Sequence, residues 1–250
     1  MDDGKTIRTL EEAERKDTLG MIQALVFDFD GTLAELHLDF SIMKERIAVL
    51  AETHLHRRPA PASMPALEWI EHLTREMPGA NGAGEAFRRE ALELVVDMEM
   101  EAAQRGKLFP YTRSILRDLQ AWGVPAAIIT RNCSRAVRHV FPDIHRLCPC
   151  FLARDHVDKV KPHPEHLKKA LSRLGVESAR ALMVGDHPLD IETGRRAGTL
   201  TAAVATGRVG TDELKAAGPH WVFRDCATLW QELRRLKLIE KRSESPRRSP

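Results

Sequence analysis

The chain has 250 residues, 43% of them apolar and 30% charged, which suits one large domain or a core carrying an insertion. Its net charge of +2, part of it in the terminal KRSESPRRSP, leaves no basic field to suggest a nucleic acid or an anionic membrane as partner. No apolar run reaches the roughly 18 residues that cross a bilayer, MDDGKTIRTLEEAERK lacks the apolar segment of a secretory signal, and four cysteines are too few for a disulfide scaffold; a cytoplasmic protein is expected.

Residues 1–20 read as a polar leader with a short helix. MIQALVF, residues 21–27, is a continuous apolar run with β-branched and aromatic members, the pattern of a strand buried on both faces. From about Leu36 to Lys107 the period becomes helical, clearest in Phe87, Ala91, Leu94, Val95, Met98 and Ala102, and RRPAPASMP and MPGANGAGE break it into separate helices. Beyond KLFPYT, a helix lined by Ile115, Leu119 and Trp122 leads to the strand VPAAIIT, and PCFLA follows as a weaker strand. PEHLKKALSRLG is a helix ended by Gly175, ARALMVG a strand, LDIETGRRAG a helix and TLTAAVATG a strand. HWVF is predicted as an edge strand and CATLWQELRRL as the closing helix.

Strands separated by helices imply right-handed crossovers and a mostly parallel sheet covered on both sides. The predicted fold class is therefore α/β. Its core comprises residues 21–35 and 108–238, the helical insertion 36–107, and a disordered tail 239–250.

In such sheets ligands bind beyond the carboxyl ends of the strands. Asp28, Asp30 and Gly31 follow the first predicted strand, Thr130 ends the second, Lys161 lies beyond the third, and Gly185 and Asp186 end the fourth. Asp28 and an extended Asp30 project to one side. Pro188 opens a helix on which the four-residue step from Asp186 to Asp190 keeps both on one face. A lone aspartate after a strand is ordinarily a cap or turn residue, but four carboxylates converging on one lysine repel by several kcal/mol at about 4 Å and intermediate dielectric. A divalent cation relieves that repulsion, and oxygen ligands without a His or Cys cluster favour Mg2+. Cys148 and Cys150 are spaced too closely for a zinc pair, and Cys133 and Cys226 read as small buried hydrophobes.

DFDGTL, IITRN, KVKPHPEHL and VGDHPLDIETGRRAG resemble the four motifs of the haloacid dehalogenase (HAD) superfamily, in its phosphatase branch near phosphoglycolate phosphatases and β-phosphoglucomutases. The likeness extends over residues about 21 to 236. It implies a Rossmann-like, HAD-like parallel sheet with an α-helical cap inserted after the first motif, and a small phosphorylated metabolite as substrate. Asp28 would be the nucleophile that forms an aspartyl-phosphate, and Asp30 the general acid and then base. Asp28, the main-chain carbonyl of Asp30, and Asp186 would hold Mg2+, with Asp190 in support. Thr130 and the amide of Arg131 would grip the phosphate, Lys161 would balance charge on nucleophile and phosphoryl oxygens, and Gly31 would let the backbone approach the phosphate. The chain departs from the family pattern at His187, where a small polar residue is usual, and at Arg131, where an Asn is usual and Asn132 follows instead. The Arg131 side chain is read as solvated, and His187 as packing or facing solvent.

Hydrolysis is the expected reaction, since a haloacid dehalogenase would lack Asp30. The alternatives are a phosphomutase of the β-phosphoglucomutase type and a phospho-accepting or scaffold protein without turnover. Monomer and homodimer stay equally open.

Overall fold

An apolar run without alternation must bury both faces of its strand, and β1 (Ala24–Phe27) does so at the centre of the sheet, with every residue buried. The computed structural model describes residues 21–77 and 82–241. The predicted leader, the middle of the MPGANGAGE break and residues 242–250 of the predicted tail lie outside them. The chain divides into two compact units, with boundaries between Leu36 and His37 and between Arg105 and Gly106.

In the first unit, β1 is followed by β2 (Ala34–Glu35), which pairs antiparallel with β3 (Lys107–Leu108) through Ala34↔Leu108 and Glu35↔Lys107. The chain then runs through β4 (Ala126–Ile129), β5 (Cys150–Leu152), β6 (Ala181–Gly185), β7 (Leu200–Val204) and β8 (Trp221–Phe223). The six longer strands form one parallel sheet in the order β5-β4-β1-β6-β7-β8, so the strand predicted to be an edge is one.

The second unit, His37–Arg105, holds α1 (Phe40–Leu55), α2 (Ala66–Glu76) and α3 (Ala83–Arg105). The three helices bury a separate core that includes Met43, Ile47, Trp69, Ile70, Leu73, Phe87 and Val95. Among the described residues of both units, no helix is long and apolar enough to cross a membrane.

The first unit's helices are α4 (Thr112–Ala121), α5 (Ser134–Val140), α6 (Ile144–Leu147), α7 (Pro164–Leu174), α8 (Pro188–Ala197), α9 (Thr211–Ala216) and α10 (Cys226–Arg235). The period of two sorts the sheet's side chains between two layers. Leu25, Phe27, Ile128, Leu182 and Val184 pack with Ile115, Leu119, Leu229 and Trp230 of α4 and α10. Ala24, Val26, Ala127, Ile129 and Met183 pack with Leu167, Ala170 and Leu171 of α7 and Ala197 of α8. Pro164 and Pro188 stand in the first turns of α7 and α8, where a missing N–H costs nothing, and Gly175 and Gly198 close them in the left-handed conformation.

Phe87 is fully buried among the three helices of the second unit. Phe87→Ala is expected to destabilise that unit by about 3–5 kcal/mol. Denaturant unfolding followed through Trp69 checks this, and a midpoint equal to the wild type's would mean that the unit does not hold together on this core.

Candidate active site

Two strands flank β1, and their register decides what Asp28 meets. Phe27 is level with Ile128 of β4 and with Val184 of β6, and the Asp28 N–H continues the ladder to the Val184 carbonyl at 2.8 Å. Thr130 on one side and Gly185 and Asp186 on the other are therefore the next residues along the same sheet end. Lys161 arrives from the loop after β5. It is 2% exposed, and its Nζ stands 2.6 Å from Asp28 Oδ1 and 2.6 Å from Asp190 Oδ1. Asp190 lies in the first turn of α8, where its Oδ2 accepts from the His187 N–H at 3.2 Å. Asp186 Oδ1 accepts from Thr32 Oγ1 at 3.0 Å.

Asp28, Asp186 and Asp190 each offer an oxygen, and these oxygens lie within 4.8 Å of one another. Among the described residues, this is the one such set of three metal-ligating side chains. The expected fourth carboxylate does not join it: Asp30 Oδ1 accepts from the Leu36 N–H at 2.9 Å. The reason is local: the chain bends at Phe29 and turns at Gly31 with φ +80°, so Leu36 comes back onto the Asp30 carboxylate.

Three carboxylates sharing one buried ammonium leave negative charge uncompensated. Burial pushes the Asp28 carboxyl up to about 6, in spite of Lys161 beside it. Asp186 is driven well above the carboxylate range by burial and then by Asp28 and Asp190. Asp30 is raised to about 7, again by burial, against the opposing Leu36 N–H. Burial works against the Lys161 ammonium too, but Asp190 and Asp28 outweigh it and hold its pKa above the ordinary lysine value. Such a set, all oxygen and surplus in charge, suits a hard divalent cation.

The backbone crowds Asp186 from two sides. A Cβ on Gly31 would lie 2.2 Å from Asp186 Oδ2, and one on Gly207 would lie 1.7 Å from it. Gly207 was not predicted as a site residue, and neither was Thr206, whose hydroxyl donates to the Gly31 carbonyl. Both end TLTAAVATG, a predicted strand whose neighbour, β6, is known only from the pairing of the sheet. On the other side, Thr130 is buried, its N–H bonded to the Leu152 carbonyl at 3.1 Å and its Oγ1 accepting from Asn132 N at 3.2 Å. The Arg131 side chain, read from sequence as solvated, is half-buried and donates to the Lys161 carbonyl. His187 is exposed at the start of α8, its Nδ1 accepting from the Leu189 N–H.

The haloacid dehalogenase-like hydrolases match residues 22–198 of the chain. An N-acetylmuramic acid 6-phosphate phosphatase of Pseudomonas putida is 31% identical over 202 residues, which cover 77% of this chain and 86% of that one. Pyrophosphatase PpaX of Oceanobacillus iheyensis is 32% identical over 120 residues, 47% of this chain and 56% of its own. Among solved structures, a hydrolase from Pseudomonas syringae shares the fold with a TM-score of 0.64 at 21% identity, over 85% of this chain and 98% of that one.

The raised carboxyls carry a stability consequence. Asp28 and Asp30 bind protons more readily folded than unfolded, so they favour the fold fully below the ordinary 3.8, and that contribution is lost as pH rises through about 6 and about 7. The denaturant midpoint of chelator-treated protein is expected to fall between about pH 4 and pH 7, and to fall less in Asp30→Asn. A midpoint flat across that range would contradict the burial of uncompensated charge.

Proposed function

Since the chain belongs to the haloacid dehalogenase-like hydrolases, we propose that it is a phosphatase that hydrolyses a small phosphorylated metabolite through an aspartyl-phosphate on Asp28. The observation that carries this reading is the single ammonium of Lys161 held 2.6 Å from both Asp28 and Asp190, with Asp186 in the same acidic cluster. Two relatives, an N-acetylmuramic acid 6-phosphate phosphatase and a pyrophosphatase, support a small phosphorylated substrate.

An Asp28 oxygen attacks the phosphorus in line, and the bond from phosphorus to the ester oxygen breaks. Asp30 gives its proton to the departing oxygen, then takes one from the water that attacks the acyl phosphate and frees inorganic phosphate and Asp28. A carboxyl raised to about 7 is suited to both halves, because neither form is scarce near neutral pH. Lys161 keeps Asp28 in place and offsets charge on the phosphoryl oxygens. Thr130 and the Arg131 amide hold the phosphate, and Gly31 lets the main chain come near it.

Asp28, Asp186 and the Asp30 carbonyl, supported by Asp190, would hold Mg2+, whose charge when bound neutralises phosphoryl oxygens. The all-oxygen donor set and the raised Asp28 and Asp186 fit that ion. His37–Arg105 is, on this reading, the cap that selects the substrate. The enzyme works in the cytoplasm, where its four buried cysteines stay reduced.

Purified protein is expected to release phosphate from p-nitrophenyl phosphate or from members of a metabolite panel only with Mg2+, and Asp28→Asn to abolish release. No Mg2+-dependent turnover on any ester overturns the reading. Asp30→Asn is expected to lose about 10²–10⁴-fold on alkyl phosphates and less on p-nitrophenyl phosphate, whose leaving group needs no proton. Equal losses on both would remove Asp30 from the acid role. Gly207→Ala, by displacing Asp186, is expected to weaken Mg2+ binding by about 10- to 100-fold in a calorimetric titration.

A further inference from the structure

Lys161 must be held by something other than the sheet. It lies in the irregular stretch between the 3-10 turn Arg154–His156 and α7, and Pro162 behind it brings no N–H. Side chains take up both of its main-chain groups. Its N–H donates to Nδ1 of His166 at 3.3 Å, and its carbonyl accepts from the Arg131 guanidinium.

His166 stands in the first turn of α7 and has no exposed surface. Because its Nδ1 accepts, the ring proton sits on Nε2, and that nitrogen faces the Leu152 carbonyl at 3.1 Å. The Leu152 carbonyl also receives the Thr130 N–H at 3.1 Å. Arg154 ties the same corner, donating from its N–H to Asn132 O at 3.1 Å and from Nη1 to Arg131 O at 2.9 Å. One imidazole thus joins the main chain of the lysine to the carbonyl that fixes the threonine.

We propose that His166 is a positioning residue, which sets Lys161 and Thr130 as one rigid unit beside Asp28 through its two ring nitrogens, with Arg131 closing the far side of the Lys161 peptide. A satisfied core histidine needs only some partner for each nitrogen. Here one partner is the lysine's own N–H, and the other is the β5 carbonyl that also receives the Thr130 N–H. Burial holds the ring pKa down at about 3, so the imidazole stays neutral, with one donor and one acceptor. A buried ammonium between two carboxylates repays its desolvation only if the geometry is held closely, which gives the clamp its purpose.

The activity part of the test rests on the phosphatase reading above. His166→Asn places its side-chain oxygen near the position of Nδ1 and keeps the Lys161 bond. His166→Gln reaches towards Leu152 O and loses that bond, and His166→Leu makes neither. Leu is expected to lose about 10- to 100-fold in kcat with a smaller change in KM, and Asn and Gln, each keeping one of the two bonds, to recover part of that loss. A purely structural histidine would rank the three by thermal stability instead; Asn or Gln no better than Leu, or Leu matching the wild type, overturns the proposal.

Should the variants not fold, the nitrogen-15 spectrum of the wild-type imidazole decides, with the Nε2–H tautomer expected and an Nδ1–H tautomer or an imidazolium overturning the clamp. A wild type inert on every ester sinks the phosphatase reading, and the same spectrum then still judges the placement of His166.

Discussion

One buried ammonium sets the conditions for everything around it. Lys161 stands between Asp28 and Asp190 almost out of contact with water, where unpaired charge of either sign is costly. Removing it would leave three carboxylates facing one another; removing them would strand a cation in the interior. The sheet is arranged to make that balance possible. With β1 in the middle, Asp28 has β4 on one side and β6 on the other, so residues distant in sequence reach one sheet end without any long excursion of the chain. At β1 successive strands stop adding on the β4 side and begin adding on the β6 side, which is where open α/β sheets bind ligands.

Most of the sheet was legible because its strands are short, apolar and punctuated. β1, β4, β6 and β7 sit within the predicted runs, and the charged residues beyond them stand out because nothing in a buried strand prepares for them. Asp28, Asp186, Asp190 and Lys161 were visible for that reason. The position of the Asp30 carboxylate was not, because it depends on how the chain bends at Phe29 and folds back after Gly31 to bring the Leu36 N–H onto it. Gly207 reads along the chain as an ordinary turn residue; only the neighbouring β6 shows that its lack of a side chain leaves room for Asp186. His166 was hidden in an amphipathic helix, where a histidine looks solvated until its two partners are known. α5, α6 and α9 escaped because four to seven residues carry too little periodicity, and the two-residue strands β2 and β3 carry none.

The pairing of β2 with β3 has a consequence for the history of the molecule. By joining Ala34 to Leu108, it brings the point where the chain leaves the sheet unit against the point where it returns. Whatever polypeptide lies between need only begin and end at neighbouring positions, and the entropy of closing a loop grows slowly with its length. Insertions of very different size are therefore compatible with the same sheet and the same acidic cluster. Evolution is free to exchange that segment wholesale, as a cassette, while the chemistry beneath the strand ends stays as it is.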